Sequence, residues 1–142
     1  MLFLPFGMAF FNYNRVKYGV NMRLGERLDI VTMTLKGDAS MKCCVELVNE
    51  LVEALGMNKV HEPTFYKYPV DGCGGFGFTY IFPITESFIA VDSWSDFKGM
   101  YLIICSCKTV PLNKVSKKIR ASGYKIKQVK AHELNLGRTN GL

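Results

Sequence analysis

Histidine is scarce in this chain: His61 and His132 are the only two among 142 residues, and Trp94 is the only tryptophan. Cys105 and Cys107 share one face of an expected strand, but no further Cys or His cluster has the spacing of a zinc site, so no metal is expected. Long apolar runs are missing too. The most apolar stretch, residues 1–11, is broken by Pro5 and falls short of the ~18 residues that span a bilayer. No positive charge precedes it and no small-residue cleavage site follows, so neither a membrane anchor nor a secretory leader is expected. With an odd count of 5 cysteines, a reducing, cytoplasmic setting fits best. Carboxylates are absent from residues 108–132, which carry 8 lysines and arginines. Such a segment could attract a polyanion, but no stacking pattern or recognition motif accompanies it. We read it as the solvated face of a helix and a strand, without nucleic acid as a partner. Salt-dependent retention on an anionic polymer separates the two readings. The glycines of Gly72-Cys73-Gly74-Gly75-Phe76-Gly77 lack the spacing of a dinucleotide or phosphate loop and precede a strand, which leaves a flexible turn.

What remains is a chain rich in strand and helix signals. Its length fits one domain that buries roughly 68–70% of its unfolded surface. Residues 1–24 read as an arm or extension, with Met22 an alternative start; residues 25–136 form the domain and 137–142 a tail. Leu28–Leu35 is β-branched and apolar on both faces and stops at Gly37-Asp38, which predicts an interior strand. Met41, Cys44, Val45, Val48, Leu51, Val52 and Leu55 recur at helical spacing, with Asp38 or Ser40 as N-cap and Gly56 as stop. Cys44 belongs to that stripe, and adjacent Cys43 cannot face one metal with it. Strands follow at Lys59–Tyr68, Gly75–Ile84, Phe88–Ser93 and Gly99–Cys107. A helix over Leu112–Ser122 ends at Gly123, before a last strand at Tyr124–His132. The order predicts an α+β fold, a two-layer sandwich with an antiparallel-rich sheet and helices on one face.

One segment carries more than structure. Glu86-Ser87-Phe88 is followed by Asp92-Ser93-Trp94-Ser95-Asp96, with Thr79 eight positions before Ser87 and Cys107 twenty positions after it. This resembles the S-adenosylmethionine decarboxylases of bacteria and archaea, whose members have Glu-Ser-His, His-Thr-Trp-Pro-Glu, an upstream hydroxyl residue and a distant cysteine at these positions. The likeness covers residues 28–132, and its specific part is 79–107. It implies the same α+β architecture, usually paired into a homodimer. It also implies a chain that cuts itself at Glu86-Ser87 and turns Ser87 into a pyruvoyl cofactor, without metal. S-adenosylmethionine or a related amino acid would be the substrate, in polyamine (spermidine) synthesis.

Each matching residue type suits its implied task. Ser87 would attack the Glu86 carbonyl, given a tight turn and donors for the oxyanion, one of which Thr79 could supply. Removal of the Ser87 α-proton would then split the chain, and Asp92 stands where the family has its histidine base. Carboxylates, ordinarily at a pKa of ~3.9, are weaker bases than imidazole at ~6.5. Cys107 matches the catalytic acid, while Trp94 and Asp96 match residues near the adenosyl group. Plainer readings stand beside these: a strand-surface polar residue for Asp92, a buried filler for Cys107, a core aromatic for Trp94 and a solvated turn carboxylate for Asp96. The departures at Asp92 and Phe88 motivate an alternative, an unprocessed paralogue that serves as a regulatory subunit or binds an adenosyl ligand. Neither histidine replaces the missing base by position, though either could approach Ser87 in the fold.

Overall fold

The computed structural model describes residues 26–70, 75–95 and 97–136. The arm at 1–24, the centre of the glycine-rich turn at 71–74, Asp96 and the tail at 137–142 lie outside the described residues. The elements run β1 (Arg27–Lys36), α1 (Met41–Ala54), β2 (Thr64–Pro69), β3 (Phe76–Ile84), β4 (Ser87–Trp94), β5 (Gly99–Ser106), α2 (Leu112–Ala121) and β6 (Lys125–Asn135). All six strands join one sheet in the order β2-β3-β4-β5-β1-β6, and every neighbouring pair is antiparallel.

Helix boundaries follow the local signals. Ser40 is the N-cap of α1, its hydroxyl accepting from the Cys43 N–H at 3.3 Å. The Asp38 carboxylate instead accepts from the Ser40 N–H at 2.9 Å, bracing the approach to the helix. Beyond α1 the chain turns at Gly56, whose φ of +65° is the left-handed conformation that a side chain would resist. The strand expected from Lys59 starts only at Thr64, apart from one bridge between Lys59 and Ile84. Pro63 explains the delay, because it lacks an N–H and restricts Glu62 before it.

Alternation along the strands puts the core on one side. Val31, Met33, Phe82, Ile89, Leu102 and Ile104 are buried against the stripe Cys44, Leu47, Val48 and Leu51 of α1 and against Val115 and Ile119 of α2. Each such aliphatic side chain contributes about 1.5–3 kcal/mol on burial. Burial also pushes the Cys44 thiol up to about 12, as its place in that stripe requires. The other face has no helix over it among the described residues, and there Ile30, Ile81 and Ile103 are half-buried while Phe88 and Tyr101 are exposed. β1 is interior, as its two apolar faces predict, and lies between β5 and β6. No helix among the described residues is long and apolar enough to cross a membrane.

Candidate functional site

The hairpin joining β3 to β4 has only Thr85 and Glu86 between the paired residues Ile84 and Ser87. Two-residue hairpin loops favour glycine or asparagine, which take up the positive φ that such turns demand. None is present here, and Ser87 carries a φ of +152°, the only positive φ on a non-glycine residue among the described ones. Strain of this kind costs of the order of 1–3 kcal/mol and persists only where the surroundings impose it. Here β4 is held along its length, with Ser87 paired both to Ile84 of β3 and to Ser106 of β5.

The peptide bond before Ser87 is held from the neighbouring strand. Glu86 accepts at its carbonyl oxygen a hydrogen bond of 2.9 Å from the Cys107 N–H. Just before it, the hydroxyl of Ser106 accepts from the Lys108 N–H at 2.9 Å, shaping the turn that presents the Cys107 N–H. Ser106 is fully buried, and sequence reasoning missed it because Cys105-Ser106-Cys107 reads only as a packed strand end. The Glu86 side chain is 1% exposed and accepts from the Thr85 hydroxyl at 2.6 Å. Burial, and then the nearby Glu86 carboxylate, raise the Cys107 thiol above its ordinary value, so that it keeps its proton at neutral pH. Glu86, Ser87 and Cys107 thus meet at one end of β4.

Thr79 and Asp92 meet at the other end. They face each other across β3 and β4, and the Thr79 hydroxyl donates to the Asp92 carboxylate at 2.6 Å. Tyr68 extends the chain, its hydroxyl 3.5 Å from that of Thr79. Five residues of strand separate Asp92 from Ser87, a distance of roughly 16 Å at ~3.3 Å per residue. Within one chain, therefore, the expected base and oxyanion donor do not reach the expected nucleophile. Trp94 lies farther still, edge-on to Tyr101 with ring centroids 5.7 Å apart. Asp96 is outside the described residues.

Neither histidine adjoins Ser87. His132 pairs with Ile30 on β6, three strands from β4. His61 follows Val60, whose N–H bonds the Pro83 carbonyl, and its ring contacts the Glu62 carbonyl at 3.0 Å. Among the described residues no group of three His, Cys, Asp or Glu side chains is placed to hold a metal ion.

No family model matches the chain, and no curated protein sequence matches it. Among solved structures, the chain is similar to the adenosylmethionine decarboxylase from Aquifex aeolicus VF5. That likeness has a TM-score of 0.52 and 18% sequence identity, and it covers 80% of this chain and 92% of that one. At this identity it is the fold that is shared: an antiparallel sheet covered by helices, in nearly the whole of the other chain.

Proposed function

We propose that this chain is a pyruvoyl-dependent decarboxylase that makes its own cofactor by cutting the Glu86–Ser87 bond. The observation that carries the reading is the Glu86 carbonyl, polarised by the Cys107 N–H at 2.9 Å and followed by Ser87 at a φ of +152°. A donor on that oxygen stabilises the charge that develops when Ser87 Oγ adds to the carbonyl carbon. Strain in the peptide favours breaking the C–N bond and forming the ester. A base then takes the Ser87 α-proton, the ester C–O bond breaks with Glu86 leaving as a carboxylate, and water replaces nitrogen at residue 87, releasing ammonia.

The residues present fit the resulting group. The new chain start at residue 87 stays in place, because β4 is paired to β3 and β5 on its two sides. When formed, the pyruvoyl group supplies a ketone conjugated to an amide carbonyl, which accepts the electrons freed as carbon dioxide leaves. Cys107, whose N–H holds the Glu86 carbonyl, keeps its proton at Sγ, as a catalytic acid must. The motif suggests S-adenosylmethionine or a related amino acid as substrate, and with it polyamine synthesis; the fold shared with an adenosylmethionine decarboxylase supports the same choice.

A homodimer completes the reading. The helix-free sheet face offers half-buried Ile30, Ile81 and Ile103 with exposed Phe88 and Tyr101, an apolar surface suited to a second copy. If the two-fold axis runs across the strands, stacking two such faces ~10 Å apart reverses one sheet over the other. Asp92 and Thr79 of one copy then approach the β3–β4 hairpin of its partner, where Ser87 begins β4. The competing reading is an uncut paralogue that acts as a regulatory subunit or binds an adenosyl compound. It is favoured by one observation, the closed hydrogen bond between Thr79 and Asp92 far from Ser87 in the same chain.

Intact-mass measurement of freshly purified protein, beside a Ser87→Ala control, decides between them. The decarboxylase reading expects fragments of 86 and 56 residues, the shorter starting with a pyruvoyl group, and neither fragment in the control. A single uncut species that persists on incubation would sink it.

A further inference from the structure

The last turn of α1 contains no basic residue, although that end of a helix carries carbonyl oxygens without intrahelical partners and the negative pole of its dipole. A positive charge reaches it from elsewhere in the fold. Lys108, just past β5, extends its side chain to the carbonyl of the C-cap residue Leu55, with Nζ 3.3 Å from the oxygen. It thus departs from the solvated basic face expected of residues 108–132, being half-buried with its ammonium on a carbonyl.

The same lysine borders the bond between Glu86 and Ser87. Its backbone N–H donates to the hydroxyl of buried Ser106 at 2.9 Å, and the Cys107 N–H between these two residues donates to the Glu86 carbonyl at 2.9 Å. The turn that presents the Cys107 N–H is therefore closed on itself at one point and tied to the end of α1 at another.

The chain leaving α1 also grips the hairpin. Asn58 accepts at its carbonyl the Thr85 N–H at 2.9 Å, and Val60 donates its N–H to the Pro83 carbonyl at 3.1 Å. Lys59 bridges to Ile84 between them. Residues 55–60 thus touch both sides of the contact between Cys107 and Glu86: the turn that carries the donor and the hairpin that carries the acceptor. Backbone groups make the contacts to the hairpin, whereas the contact to the turn depends on the side chain of Lys108.

We propose that Lys108 is a positioning residue: through Leu55 it ties the turn of Cys107 to the connector that holds the scissile hairpin, and so sets the Cys107 N–H on the Glu86 carbonyl. The inference rests on the self-cleaving reading above and gives Lys108 no contact with the reacting atoms. The hydrogen bond it maintains is the one that steadies the developing oxyanion, and misplacing such a group by about 1 Å can cost about a hundredfold in rate.

Amide hydrogen exchange in full-length Ser87→Ala protein, read by NMR, tests this tie without any cleavage. In that background Lys108→Met should speed exchange at Cys107 at least about tenfold and leave Leu102 and Ile104, in the middle of β5, unchanged. Lys108→Arg should restore the parent value, because arginine supplies the same charge and a donor. In chains that keep Ser87, Lys108→Met should slow formation of the 86- and 56-residue fragments about tenfold, with Lys108→Arg close to the parent rate. Faster exchange at Leu55 and Met57 alone, with Cys107 unmoved, would reduce Lys108 to a helix cap and overturn the proposal. Cleavage of Lys108→Met at the parent rate would overturn it as well. A parent chain that is never cut would contradict the decarboxylase reading instead, and exchange at Cys107 would still decide whether Lys108 holds the turn.

Discussion

At one end of β4, Ser87 carries a positive φ directly after a two-residue loop, and the Glu86 carbonyl accepts from the Cys107 N–H. At the other end, the Thr79 hydroxyl donates to the Asp92 carboxylate in a short hydrogen bond of 2.6 Å. The first end has the Ser87 hydroxyl, a polarised carbonyl, a protonated thiol and a buried Glu86 carboxylate that accepts from the Thr85 hydroxyl. The second has a carboxylate and a hydroxyl with no electrophile. A linear motif of fewer than thirty residues is thus divided by strand geometry, because each residue along β4 carries the chain ~3.3 Å farther from the hairpin. Spacing in sequence establishes matching residue types; it does not bring those residues together.

The sharpest break of the far end is Gly99→Ala. A Cβ there would lie 2.5 Å from the Leu35 carbonyl oxygen, a backbone atom that cannot swing aside. The expected cost is about 3 kcal/mol, at the upper end of the ordinary range for overpacking, read by urea unfolding. The loss should come with displacement of the β1–β5 ladder, in which Gly99 pairs with Lys36. A variant as stable as the parent would show that these strand ends are looser than described.

At the near end the corresponding change should stabilise. Ser87→Gly removes the nucleophile and relieves the positive φ, so we expect no cleavage and a gain of about 1 kcal/mol over Ser87→Ala. Equal stability of the two variants would mean that the hairpin stores no strain. Thr79→Val tests the relaxed end by leaving Asp92 without its 2.6 Å donor. Its expected cost is about 1 kcal/mol, because the carboxylate is only half-buried and can recruit water.

Between the two ends lies the common core, and its pH response is distinct. The Cys44 thiol is raised from 9.0 to about 12 by burial in the folded chain. In that window the unfolded chain gives up this proton and the folded one keeps it. Stability from Cys44 is therefore complete below about pH 9 and declines as pH rises toward 12, by up to about 1.4 kcal/mol per pH unit. Cys44→Ala should flatten that part of the alkaline unfolding profile while lowering stability at neutral pH.

Much of the scaffold was legible in the residues. The stripe from Met41 to Leu55 marked α1, and the alternation in Gly75–Ile84 and Gly99–Cys107 marked strands that now pair through β4. The late start of β2 could have been read from Pro63. The candidate site was legible only in part. Glu86, Ser87 and Cys107 were chosen as residue types, and Cys107 now stands at Glu86 through its backbone N–H, which no side-chain pattern encodes. Ser106 was invisible because its part is to shape a turn.

Whether the two ends of β4 work together across a dimer is tested most directly by co-expressing Ser87→Ala and Asp92→Ala chains and weighing the products. We expect the Asp92→Ala chain to stay intact when made alone and to be cut into 86- and 56-residue fragments when Ser87→Ala chains supply Asp92, while the Ser87→Ala chain remains whole. Cleavage of the Asp92→Ala chain alone at the parent rate, or no rescue in the mixture when the parent chain is cut, would contradict a site assembled from two copies.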